Sequence, residues 1–195
     1  FVRGTDPAAH ESWSVRQWTV NEGLPQSSVT ALAPAEGGDL WVGTFGGLAR
    51  FDGSRFVPVR VDGPGGLGSS RILALALGPD ETLWVGAEAG GIGRLEGGRV
   101  VSLKDPGPLA ARDVSSILVD RQGRVFALSG HELFRADGAA PRKVPLPGDP
   151  QRALTCLAAG EEGEVLVGSE NGSIYRVRDD SVHEERLPWK EPRPG

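Results

Sequence analysis

Leu40-Trp41-Val42-Gly43 and Leu83-Trp84-Val85-Gly86 are one four-residue phrase written twice, 43 residues apart. Two degraded copies, Val125-Phe126-Ala127-Leu128 and Val165-Leu166-Val167-Gly168, follow at further steps of 42 and 40. Upstream the register holds, because twelve residues before Trp41, Trp84, Phe126 and Leu166 stand Val29, Ile72, Val114 and Leu154. Downstream, Leu48-Ala49-Arg50-Phe51 returns as Ile92-Gly93-Arg94-Leu95, Leu133-Phe134-Arg135-Ala136 and Ile174-Tyr175-Arg176-Val177. A fixed period of this kind marks a repeat architecture, in which each unit buries its apolar faces only by stacking on its neighbours.

Each unit reads as three strands and a variable fourth. The first (29–33, 72–77, 114–119, 154–158) is small and apolar on both faces, as expected of a fully buried strand. Turn residues follow at 36–38, 79–81, 121–123 and 161–163, and the second strand carries the Trp-Val-Gly phrase. A tight turn at Gly46-Gly47, Gly90-Gly91 or Asn171-Gly172 leads into the third strand, where the recurring Arg alternates with apolar residues. The fourth (55–61, 99–103, 142–146, 182–187) is polar, as an outer edge strand would be. The 29 Gly and 15 Pro, without a collagen period, agree with many short strands and turns. Four-stranded antiparallel units of 40 to 45 residues predict an all-β β-propeller. Helical solenoids are excluded because no copy holds a useful amphipathic helix, and a two-sheet sandwich gives no reason for column-by-column identity.

The predicted organisation is a leader over 1–12, an outer strand over 13–22, blades over 23–61, 62–104, 105–147 and 148–187, and a tail or linker over 188–195. The 13–22 strand, built on Trp13-Ser14-Val15-Arg16-Gln17-Trp18-Thr19-Val20, is a fifth outer strand against four inner triplets. It predicts a blade completed elsewhere and hence a fragment of a larger ring. A chain opening at Phe1 with no Met reads as a piece of a longer polypeptide.

Gly23-Leu24-Pro25-Gln26-Ser27-Ser28-Val29, Asp39-Leu40-Trp41-Val42-Gly43-Thr44 and Gly46-Gly47-Leu48-Ala49-Arg50-Phe51-Asp52-Gly53 together resemble the two-component regulator propeller repeat. The resemblance extends over about residues 13 to 182 and weakens in the third unit, where Leu128 and His131-Glu132 replace glycines. It implies a seven-bladed periplasmic or extracytoplasmic sensor region of a histidine kinase, hybrid kinase or diguanylate cyclase.

Residue by residue, the chemistry is sparse. A net charge of -5 with scattered basic residues argues against a nucleic-acid surface. No apolar run is long enough to span a bilayer, so no membrane contact is expected within this segment. Gly63-Pro64-Gly65-Gly66-Leu67-Gly68 satisfies a dinucleotide fingerprint in letters, but a buried strand follows where a helix is required. Cys156 shares its column with Ala31, Ala74 and Ser116, and reads as inert packing on the innermost strand. His10, His131 and His183 have no metal-ligand spacing. Asn171-Gly172-Ser173 fits a glycosylation sequon and reads as a turn. Trp41, Gly43, Arg50, Trp84, Gly86, Arg94, Phe126, Arg135, Leu166, Gly168 and Arg176 form the structural repeat. No catalytic residue, cofactor or metal is assigned.

Binding loops ride on a rigid framework and vary between units. The loop leading into the first strand and the turn between second and third strands meet at one end of each blade. They nominate Gln26, Ser28, Phe45, Arg71, Glu88, Arg112, Asp113, His131, Arg152 and Glu170 as ligand contacts, a mixture suited to a polar small molecule or glycan. The leading expectation is a non-catalytic sensor whose partners are that ligand and either further blades of the parent chain or another copy. Two alternatives stand beside it, a propeller lyase resembling streptogramin lyases and a purely structural protein–protein interaction propeller.

Overall fold

The computed structural model describes residues 15–149, 151–179 and 181–186. Its sixteen strands form four four-stranded antiparallel sheets, each in simple chain order. The first holds β1 (Val29–Pro34), β2 (Leu40–Thr44), β3 (Gly47–Phe51) and β4 (Phe56–Val59); the second holds β5 (Ile72–Leu77), β6 (Leu83–Ala87), β7 (Gly91–Glu96) and β8 (Arg99–Ser102). The third is β9 (Ser116–Val119), β10 (Val125–Ser129), β11 (Glu132–Arg135) and β12 (Arg142–Val144). The fourth is β13 (Leu154–Ala159), β14 (Val165–Ser169), β15 (Ser173–Arg178) and β16 (Ser181–Arg186). These are four consecutive β-propeller blades, and among the described residues they do not close a ring.

Register follows the repeat. Trp41 pairs with Ala33 and Arg50, and Trp84 pairs with Ala76 and Arg94. Among the described residues, three apolar cores join the first sheet to the second, the second to the third and the third to the fourth. Trp41 packs against the first of these, Trp84 lies in the second and Phe126 in the third, so the tryptophan column is an inter-sheet column. Each buried aromatic of this size removes about 200 Å² from water.

Burial is not where the residue pattern put it. The strand covered along its whole length is the second of the two middle sheets, β6 and β10, whereas β1 and β13 are largely open. The first strand lines the inner margin, while the second is sandwiched between neighbouring sheets. Small side chains there reflect crowding along one margin rather than enclosure. Cys156 is corrected on the same ground, for it is exposed on β13. In the third unit Val114 precedes the strand, because its N–H bonds to the carbonyl of Ala87 in the second sheet at 3.1 Å.

The outer strand expected over 13–22 is not a strand over its described part. Residues 15–19 carry no ladder, Val20–Glu22 is one 3-10 turn capped by Thr19, and Trp13 and Ser14 lie outside the described residues. A strand exists only with a partner beside it, and here Trp18 instead stacks edge-on against Phe51 and Phe56 at 4.8 and 5.9 Å. The predicted leader over 1–12 and tail over 188–195 also lie outside the described residues.

Candidate functional site

Antiparallel pairing sets the start of each first strand beside the end of the second: Val29 faces Thr44, Ile72 faces Ala87 and Leu154 faces Ser169. The leading loops and the turns between second and third strands therefore share one end of the array. Backbone bonds stitch them together, with Phe45, Glu88 and Glu170 donating to the carbonyls of Ser28, Arg71 and Ala153 at 3.4, 2.8 and 3.1 Å.

In the first two sheets a glycine keeps the turn pressed on the leading loop. A Cβ at Gly46 would lie 2.7 Å from Gln26 Cβ, and one at Gly90 would lie 3.0 Å from Ser69 N. The third sheet departs at this point. Its two-residue turn is Gly130-His131, with the left-handed φ of 60° taken by Gly130, and Glu132 opens β11 where glycine opens β3 and β7. Here a groove of about 470 Å³ opens, lined by Arg112 and Asp113 of the leading loop, Gly130, His131 and Glu132 of the turn, Lys143 of β12 and Gln151.

Its charges are matched internally. The Glu132 carboxylate accepts from Lys143 Nζ at 2.7 Å and from Arg112 Nη1. These two donors, Lys143 foremost, hold the Glu132 carboxyl below its usual range. Asp113 accepts from the N–H of Ala89 at 2.7 Å, tying the third leading loop to the second sheet's turn, where Ala89 sits at a left-handed φ of 50°. His131 is exposed at the lip.

The remaining nominated residues fall into three arrangements. Phe45, Arg71 and Glu88 form one cluster across the first two sheets, with the Arg71 guanidinium 4.2 Å from the Phe45 ring centroid and its Nε 2.6 Å from Glu88 Oε2. Gln26 folds back on the N–H of Ser28 at 2.6 Å, and Glu170 on that of Ala153 at 3.1 Å. Arg152 is buried at 7% exposure. It bonds to the carbonyls of Pro147 and Asp149 at 2.9 and 2.8 Å and to Glu184 at 3.3 Å, over the Tyr175 ring.

The once-per-blade arginines lie on the outer flank with differing carboxylate partners: Arg50 with Asp39, Arg94 with Glu96, Arg135 with Asp137, and Arg176 with Glu164 and Glu185. Exposed pairs of this kind contribute at most about 1 kcal/mol each.

Residues 23–46, running from the first leading loop to the tight turn after β2, match the family described as two component regulator propeller. Residues 23–46 carry one two-component regulator propeller repeat. No curated protein matches the sequence. Among solved structures, Staphylococcus aureus virginiamycin B lyase is 20% identical with a TM-score of 0.70, covering 86% of this chain and 58% of its own. The extracellular domain of BT4673 from B. thetaiotaomicron, described as a one component or hybrid two component system, is 19% identical with a TM-score of 0.68 over 84% of this chain and 22% of its own. The Cps50 (Swd1) β-propeller domain of Myceliophteria thermophila is 14% identical with a TM-score of 0.58, over 82% of this chain and 55% of its own. At these identities the shared property is the propeller fold. The chain spans a little more than half of the lyase and about a fifth of the BT4673 domain.

The groove sits in the third unit, where the internal repeat loses its glycine pair. Of the nominated residues Arg112, Asp113 and His131 line the groove, as do Glu132, Lys143 and Gln151, which reading the leading loops and tight turns did not nominate. Glu132 had a signal, since it replaces the second glycine of the pair. Lys143 had none, because an outer-strand lysine looks like any solvated edge residue until β12 brings it beside β11.

Proposed function

We propose that these blades belong to a non-catalytic, extracytoplasmic sensor propeller, and that an uncharged polar ligand binds the groove at the loop end of the third sheet. The observation carrying the reading is the loss of the glycine pair at His131-Glu132, where a polar groove opens at a loop end that glycines hold closed in the first two sheets. Two cations and two carboxylates there, Arg112 and Lys143 with Glu132 and Asp113, already have partners. A charged ligand would have to break such pairs, whereas hydroxyl groups can bridge them and use His131 and Gln151 as further donors or acceptors. The family match supports a signalling role, and the extracellular setting of the BT4673 domain supports the location. Among the described residues, no helix is long and apolar enough to cross a membrane.

Titration calorimetry against neutral oligosaccharides and their uronic-acid counterparts tests this reading. A neutral compound is expected to bind, with affinity falling at least about tenfold in His131→Ala and Lys143→Ala and unchanged in Ser28→Ala. Binding indifferent to both groove variants, or confined to the acidic compounds, would sink it. The similarity of fold to virginiamycin B lyase favours a lyase as the second reading. That reading calls for a convergent His/Glu cluster, and among the described residues no three His, Cys, Asp or Glu side chains gather in that way. Turnover of a streptogramin by the chain would favour the lyase over the sensor.

A further inference from the structure

The groove has an annex. His131, Glu132 and Lys143, which line it, also line a smaller and more enclosed recess of about 50 Å³. The rest of that recess includes Val144 and Leu146 of the third unit, with Arg152 and Leu154 from the start of the fourth. Val144 and Leu154 are 9% and 6% exposed in the core between these two sheets, and Leu146 packs against them. Both sheets that form the recess are supplied by this chain. A water-sized group needs roughly 10–15 Å³, so the recess takes a substituent of about three non-hydrogen atoms.

Arg152 gives the recess its polar chemistry. A guanidinium carries five N–H donors and no acceptor. Its Nε donates to the Asp149 carbonyl at 2.8 Å, Nη1 to Glu184 at 3.3 Å and Nη2 to the Pro147 carbonyl at 2.9 Å. Among the described residues it has no further acceptor, so one N–H is left on each terminal nitrogen. The chain closes over the guanidinium, for a Cβ on Gly148 would collide with Nη2, and the residue is 7% exposed. Arg71 and Arg112, its counterparts in the second and third leading loops, are exposed and spend their charge on Glu88 and Glu132.

A group that fills the recess must offer an acceptor to Arg152 and apolar surface to Val144, Leu146 and Leu154. It must also be neutral, since Glu184 already answers the Arg152 charge. A hydroxyl meets the first demand and leaves the aliphatic wall bare, whereas a methyl alone leaves the donors bare. An acetamido group meets both, its carbonyl oxygen accepting from Arg152 and its methyl packing on the wall. Resting on the reading of the groove as a site for an uncharged polar ligand, the geometry points to a neutral saccharide bearing an N-acetyl group, with its ring in the groove and its acetamido group in the recess.

Titration calorimetry of the chain with diacetylchitobiose and cellobiose tests the assignment. The two share one neutral backbone and differ in carrying acetamido or hydroxyl groups beside the anomeric carbon. Diacetylchitobiose is expected to bind at least about tenfold more tightly than cellobiose. Its N-propionyl analogue, longer by one methylene, should bind about tenfold more weakly than the acetyl compound. Leu146→Phe fills the recess from a partly buried position, and with parent-like circular dichroism it should bring the acetyl and hydroxyl compounds to within about twofold of each other. Equal affinities in the parent chain, a preference that survives Leu146→Phe, or an N-propionyl compound bound as well as the acetyl one overturns the inference. In those cases the groove reading stands as long as binding still weakens in His131→Ala. Failure of both saccharides to bind overturns the groove reading, and the inference with it.

Discussion

Trp84 and Trp41 share a column but not an environment. Trp84 is 7% exposed, in a core with Val114 and Ile117 between two covered sheets, while Trp41 is half-buried at the junction made by the outermost sheet. Trp84→Ala is expected to cost about 3–5 kcal/mol, the usual loss for an enclosed large aromatic. Trp41→Ala should cost roughly half as much, and urea unfolding monitored by far-UV circular dichroism compares the two. Equal losses would mean that the two junctions are equally packed. A second pair separates in the same manner. Arg112 and Arg152 occupy one column, but Arg112 reaches across an open groove and Arg152 is enclosed by the carbonyls of Pro147 and Asp149. Arg152→Met is expected to lose about 2–3 kcal/mol, since it takes the guanidinium from the Pro147 carbonyl and removes one donor each from the Asp149 carbonyl and Glu184. Arg112→Met should change stability by less than about 1 kcal/mol. The column in the sequence predicts the loop on which each arginine stands. It does not predict that residues 147–149 fold back over one of them. Cys156 is the same lesson, because a small-residue column reports the crowding of a margin and not whether another sheet covers it.

At the scale of elements, strands and their order were legible because period-2 patterning and glycine turns recur four times, so noise in one copy is corrected by the others. What recurrence could not supply was the fate of the segment over 13–22, whose alternation needs a partner strand to become a ladder. Nor could it supply contacts between turns of successive sheets. The 3-10 turn Glu36–Gly38 of the first sheet brings the Glu36 carboxylate against Glu81, which holds a left-handed φ of 63° in the second. Repulsion from Glu36, followed by a shared hydrogen bond, raises the pKa of Glu81. A carboxyl whose folded pKa lies above its unfolded value binds its proton more tightly when folded. The pair therefore opposes folding at neutral pH, and the opposition fades as pH falls through the raised value. Glu81→Gln is accordingly expected to raise the thermal midpoint at pH 7 and to leave it unchanged well below the ordinary glutamate range. Midpoints measured across that interval decide it, and a Glu81→Gln advantage that grows on acidification would refute the assignment.

For the whole molecule, the consequence of stacking in one dimension is a gradient of stability. Each sheet contacts only its neighbours, so unfolding free energy is a sum of sheet and junction contributions rather than a property of one core. The middle sheets have two junctions each and the outer sheets one. The burial follows: β6 and β10 are covered throughout, while β1 and β13 each keep at most one covered side chain. Opening from either end breaks one junction, whereas opening β6 or β10 requires an outer sheet to leave first or two junctions to fail together. Amide hydrogen exchange should therefore be slowest in Leu83–Ala87 and Val125–Ser129. Exchange in Val29–Pro34 and Leu154–Ala159 should run roughly 10- to 100-fold faster, the ratio that about 1.4–2.7 kcal/mol of additional junction free energy produces. Uniform protection across the four sheets would show that the array opens as a single unit and that its junctions are stronger than the sheets they join.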